Sequence, residues 1–230
     1  MQNDSLTMRV TDYIFSYIRD NELSTGDSLP SELRTSTELS ISRGIVREAF
    51  RSLAVAGIIE KENGRSPRVG VLNGSFLTHL MVHAISTKQV SVSQVLELRT
   101  SVEMLAVELA ARKRTRSDVQ RLRASVAGMR ESLEDLPRFV QHDLDFHDLI
   151  NRASGNPLIE IVCTAMHGSM QESMRVGLLK RRSGADIAKV VESHELIVDA
   201  IEQQNVGTAG LLMRKHFAEA REALAKVQGD

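Results

Sequence analysis

The sequence has no tryptophan, two tyrosines and four prolines among 230 residues. Strands favour aromatic and β-branched residues, and all-β domains need many turns, so this scarcity argues against an all-β fold. A single cysteine, Cys163, excludes an intrachain disulfide and fits a reducing compartment. Neither sign of charge dominates. The 29 basic and 30 acidic residues make no global demand for a nucleic acid or a membrane surface. No apolar run approaches the ~20 residues of a membrane helix. The opening "MQNDSLTMRV" holds no apolar run of signal-peptide length. A cytoplasmic protein without a membrane partner is expected. There is no internal repeat and no low-complexity tract.

What is plentiful is Ala, Leu, Glu, Arg and Met, all helix formers. The expected fold is mainly α. Met8, Val10, Tyr13, Ile14, Tyr17 and Ile18 form an apolar stripe at helical spacing over 6–20. Gly26 and Pro30 break that helix, and Ser31 can start a short new one. Ser42 stands at an N-cap position before Ile45, Val46, Ala49, Phe50, Leu53 and Ala54, and Gly57 ends the run. "IIEKENGRSPRVGVL" then changes period and reads as a two-stranded hairpin. Three helices and a hairpin in this order make a winged helix-turn-helix. From Phe76 onward every segment has helical periodicity. Helices are expected near 76–89, 92–113, 116–135, 137–153, 156–180, 184–204 and 206–227. Short breaks separate them, so they should pack as an antiparallel all-α bundle. The expected domain boundary separates 1–74, the winged helix-turn-helix, from 75–230, the all-helical bundle.

In the helix that starts at Ser42, the apolar residues can face a core while Ser42, Arg43, Arg47 and Arg51 fall largely opposite. A recognition helix needs this arrangement, with arginines near its N-terminal half to reach phosphates and guanine edges. Arg65 and Arg68 flank the hairpin turn. The competing reading is an ordinary solvated face, because residues 1–75 carry nine basic and ten acidic residues.

"LPSELRTSTELSISRGIVREAFRSLAVAGIIEKENGR" resembles the signature of the GntR family of bacterial transcription regulators. Ser42, Arg43, Val46, Arg47, Glu48, Ala49, Leu53, Gly57 and Gly64 match it position by position. The resemblance implies that Arg43 and Arg47 contact an operator and that the wing glycine, Gly64, lets the backbone approach DNA. Leu33 departs from the pattern, which has arginine directly after LPSE. Arg34 stands one place on, rotated by about 100° on a helix. Arg34, Arg51, Arg65 and Arg68 complete the candidate DNA-binding set.

A second motif is "HDLDFHDLI" at 142–150. Asp143 and His147 are four apart, so on a helix they share one face, as two metal ligands would. A charged amphipathic helix is the plain alternative. His194 lies in an inward-facing stripe with Ile187, Val190, Val191, Ile197, Val198 and Ile201. His216, four residues after Leu212, can also face inward. His79 and His83 form a weaker rival pair suited to a packing or exposed role. His142 and His167 lack a comparable setting. Met166, Met170 and Met174 read as core or dimer contact.

The second half resembles the FCD effector domain of the FadR subgroup of that family. "ELRTSVEMLAVELAA", "DLDFHDLINRASGNPLI", "SHELIVDAI" and "RKHF" carry the resemblance. It implies four ligands, Asp143, His147, His194 and His216, around a divalent transition metal. Zinc is expected first, with nickel, manganese, cobalt or iron as alternatives. It also implies that Arg99 points into an effector cavity, where it can hold a carboxylate, with Arg175 as a further lining residue. The competing reading of Arg99 is a surface salt bridge to Glu103. The expected whole is a homodimeric repressor that binds a pseudo-palindromic operator and is released by a small carboxylic acid. A helical metalloenzyme is the alternative, but there is no general base beside the ligands, no H-E-x-x-H, no nucleophile elbow and no P-loop. A purely structural metal is a third reading.

Overall fold

The computed structural model describes the backbone of residues 2–61, 65–179 and 184–228; within these, the side chains of 2–4, 171–179, 184–186, 224 and 226–228 are not described. Two compact units emerge, Met1–Phe76 and Leu77–Asp230.

The first unit holds α1 (Gln2–Asp20), α2 (Glu32–Leu39), α3 (Arg43–Val55) and the antiparallel strands β1 (Ile59–Glu60) and β2 (Arg68–Val69). Ser31 caps α2, its side chain accepting the Arg34 N–H. Ser40, in the left-handed region at φ 55°, turns the chain sharply between α2 and α3. Gly57 ends α3. Its φ of 72° lets the Ile58 N–H reach back to the Leu53 carbonyl, which satisfies an end-of-helix acceptor. Val10, Ile14, Val46, Ala49, Phe50, Leu53 and Ile59 close one core. Met8, expected in the α1 stripe, is exposed instead: two residues before Val10, it lies about 200° around the helix from it.

The second unit is a helical bundle of α4 (Ser75–Ser86, beginning at the junction), α5 (Val92–Lys113), α6 (Arg116–Glu131), α7 (Leu136–Ala153), α8 (Pro157–Leu179), α9 (Gly184–Glu202) and α10 (Val206–Gln228). Local chemistry sets the breaks. Ser91 with Gln94 and Thr115 with Asp118 form reciprocal capping boxes for α5 and α6. Helix α6 stops at Glu131, short of the expected 135. Asp135 belongs instead to α7, where its carboxylate accepts the Arg138 N–H.

Helix α5 packs against α7, α8, α9 and α10, and α6 against α7 and α9. Where α6 crosses α7, the His142 ring lies over Gly128, and a Cβ built there would stand 2.5 Å from it. The buried stripe of α5 reads Leu96, Arg99, Glu103, Ala106, Val107, Ala110. An arginine and a glutamate therefore sit among core residues, and they mark the site. Among the described residues no helix is long and apolar enough to cross a membrane.

Candidate DNA-binding face and candidate metal centre

On α3 the exposed residues include Ser42 at the N-cap, Arg43, Arg47, Glu48 and Arg51, while Val46, Ala49, Phe50 and Leu53 are buried. Ser42 has N-cap backbone geometry, but its hydroxyl makes no capping bond. The first N–H groups of α3 thus lack the side-chain partner that usually satisfies them. Arg47 lies 3.8 Å from Glu32, which also pairs with Lys61 of the wing. Arg68 donates from Nη1 to the Gly26 carbonyl at 2.6 Å and so fastens β2 to the loop before α2. Arg65 is exposed beside the wing. Arg34 stands apart. Its Nε donates to Glu38 at 2.6 Å, and its guanidinium lies 5.7 Å over the Tyr17 ring. Tyr13 donates to the other oxygen of Glu38, and burial with this carboxylate pushes the phenol up to about 12. Gly64 lies outside the described residues.

In the bundle, α7 supplies Asp143 and His147, α9 supplies His194 and α10 supplies His216, and all four side chains are buried. One ligand atom from each histidine lies within 4.8 Å of the others. His194 Nδ1 donates to the Val190 carbonyl at 2.7 Å, so the neutral ring keeps its lone pair on Nε2. That Nε2 is buried and makes no hydrogen bond, although Asp143 Oδ1 lies 3.1 Å away. In the neutral ring this lone pair faces the carboxylate oxygen, an arrangement that a shared cation, a proton or a metal ion, relieves. Ligands that each bond one ion at about 2.1 Å stand roughly 3.0–3.4 Å apart at neighbouring positions. The three imidazoles thus converge as ligands of a divalent ion would, while Asp143, the fourth expected ligand, is placed against His194 and lies outside the group in which all ligand atoms converge.

Protonation states agree with this fit. Burial, followed by the repulsion of His194 and His147, holds the His216 pKa well below its usual value. Burial also lowers that of His147 and outweighs the attraction of Glu103. Burial raises the carboxyl pKa of Asp143, but its interaction with His194, followed by the attraction of His147 and His216 in their protonated forms, prevails and holds it below the usual carboxylate range. Two neutral imidazoles and an ionised carboxylate are the forms that bind metal.

Arg99 is buried, at 3% exposure, so a surface salt bridge is ruled out. Its Nε bonds Glu103 at 2.6 Å, and its guanidinium lies 5.2 Å over Phe217, next to His216. The pair that the competing reading put on the surface is a core pair because both residues fall on the buried stripe of α5. Arg175 lies in α8, but its side chain is outside the described residues. His79 and His83 are exposed. His167 corrects the sequence reading: it is buried, with Nδ1 bonded to Asp148 at 2.9 Å and Nε2 to Glu103 at 2.9 Å. Burial and Arg99 lower its pKa, but the bonds to the two carboxylates prevail and raise it. Asp148 thus faces His167, while Asp145 accepts from exposed Gln141. Glu103 was also missed as a site residue. The signal was its spacing, on the same 3–4 repeat as Leu96, Ala106 and Ala110.

Residues 94–219 match the FCD domain, and residues 6–69 match the gntR family of bacterial regulatory proteins. The chain belongs to the GntR family, with an FCD domain. Relatives of this GntR chain include the HTH-type transcriptional regulator LutR of Bacillus subtilis, 26% identical over 90% of this chain and 96% of that one. The HTH-type transcriptional repressor NanR of Cronobacter sakazakii is 26% identical over 92% and 82%. These are names of transcriptional regulators, not of enzymes. Among solved structures, a Streptococcus agalactiae GntR superposes with a TM-score of 0.63 at 23% identity, over 94% of this chain and 99% of the other. E. coli McbR/YncC follows at 0.54 and 17%, over 97% and 98%. At these identities they support the fold alone.

Proposed function

We propose that this GntR-family chain is a cytoplasmic repressor that binds a pseudo-palindromic operator as a homodimer and leaves it when a small carboxylic acid binds the FCD domain. The observation that carries the effector half is the buried His194 Nε2, with no hydrogen bond, facing Asp143 beside His147 and His216. Asp143, His147, His194 and His216 would hold a divalent ion, zinc first. Such an ion, when bound, supplies a coordination position that a carboxylate oxygen can fill.

The chain's own residues do the rest. Arg99, fixed by Glu103 and the Phe217 ring, offers a guanidinium to the acid's carboxylate. Arg175 is a further candidate for the same cavity. At the DNA, Arg43, Arg47 and Arg51 on the exposed edge of α3 reach base edges and phosphates, and Ser42 with the open N-terminus of α3 takes a phosphate. Arg65, Arg68 and the wing backbone at Gly64 add contacts at the flank. Arg34 joins them only by giving up Glu38 and Tyr17. Two recognition helices need a two-fold dimer to meet successive major grooves. An effector that changes operator affinity 5- to 150-fold needs about 1–3 kcal/mol of coupling. The repressor label of the NanR relatives favours repression as the sign.

The test is a gel shift on the DNA upstream of the gene, at several salt concentrations, with and without small carboxylic acids and zinc. Specific binding that one of these acids weakens is expected. Failure with every neighbouring promoter sinks the regulator reading.

A further inference from the structure

We infer that Glu103 is the positioning residue of this metal site, fixing the tautomer of His147 and tying that ligand to Arg99 and His167. The inference rests on the metal site proposed above. Glu103 has zero exposure. An ionised carboxylate survives such burial only when hydrogen bonds and opposite charge satisfy it. Three helices provide them. Oε2 accepts from His147 Nδ1 of α7. Oε1 accepts from Arg99 Nε of α5 at 2.6 Å and from His167 Nε2 of α8 at 2.9 Å.

The consequence for His147 follows from donor counting. An ionised carboxylate can only accept, so the shared proton belongs to Nδ1 of the ring. A neutral His147 then carries its lone pair on Nε2, the nitrogen left to serve as a ligand. A histidine ligand whose other nitrogen donates to a carboxylate is held in both orientation and tautomer, and is the better base for it. A bound cation draws electrons from the ring, makes Nδ1–H a stronger donor and tightens the bond to Glu103.

Glu103 also reaches beyond the metal ligands. The carboxylate that sets His147 through one oxygen holds the guanidinium of Arg99 through the other. His167 bridges it onward to Asp148. The group proposed to receive the effector is therefore oriented by the residue that orients a metal ligand.

The experiment measures zinc affinity of the full chain by competition with a chromophoric chelator, zinc being the only probe. Parent, Glu103→Gln and His167→Gln are compared. Glutamine keeps the size but replaces one acceptor oxygen with a donor. Glu103→Gln should weaken zinc binding 10- to 100-fold, and His167→Gln, which touches no ligand by a hydrogen bond, should stay within about threefold. A Glu103→Gln protein with the parent's affinity, or an equal loss in both variants, overturns the inference and leaves the metal site standing. A parent that takes up no zinc overturns the metal site itself. Should Glu103→Gln fail to fold, nitrogen–proton correlation spectra of the unmodified zinc-free protein decide. His147 protonated on Nδ1 is expected, and protonation on Nε2 instead sinks the assignment.

Discussion

His194 Nε2 and Asp143 Oδ1 face each other across 3.1 Å, buried and without a hydrogen bond between them. The far nitrogen of the ring is already committed to the Val190 carbonyl, so the ring cannot turn to relieve the contact without losing that bond.

His194→Ala and His216→Ala should each lose most of the metal that the parent retains after purification, as read by mass-spectrometric metal analysis. Each removes one of the converging imidazoles. Unchanged metal content in both variants would remove them from the ligand set.

Chelation should lower the melting temperature, and zinc should restore it. An ion at 100 times its dissociation constant stabilises the folded state by about 2.7 kcal/mol. Calorimetry with and without chelator measures this. An identical transition in both would mean that no ion links to folding.

The metal-free protein should lose stability as pH falls below about 6.5, the value of an unfolded histidine. His147 and His216 have lowered pKa values, so the unfolded chain takes up protons there before the folded one does. Asp143 and Glu103, also lowered, extend the loss at more acid pH. His167 works the other way: its contribution is complete below 6.5 and fades as pH rises through its raised folded value. Melting curves from pH 8 to 5 should therefore fall toward acid, and less steeply in His216→Gln. A rise toward acid would contradict the assigned protonation states.

Arg47→Ala should weaken operator binding about 5- to 100-fold without moving the melting temperature, because Arg47 is exposed and only 3.8 Å from its nearest carboxylate. If it holds a phosphate, the slope of affinity against salt should also fall by about one. An operator affinity equal to the parent's would exclude it as a contact.

Gly128→Ala should destabilise the bundle by roughly 1–3 kcal/mol, even though alanine favours helix. The new methyl would meet the His142 ring, which must move. Chemical denaturation measures the change, and a stabilised variant would show that the ring yields freely.

Much of this architecture lies in the one-dimensional pattern. The 3.6-residue repeats, Ser31, Gly57, the capping residues Ser91 and Thr115 and the break at Gly155 decide where helices start and stop, because those choices are made within a few residues of chain. The inward face of α7, with Asp143 and His147 four apart, and the apolar back of α3 are fixed by the same arithmetic. Local pattern cannot decide which faces meet. The spacing of Arg99 and Glu103 alone allows a surface pair, and only α7, α8, α9 and α10 closing around α5 remove the water from it. His167 has nothing beside it in the sequence to mark it, since its partners Asp148 and Glu103 lie 19 and 64 residues away. Nε2 of His194 faces Asp143 only because α9 and α7 dock at that register. Packing brings these groups together from distant parts of the chain, and burial gives the charges among them their strength.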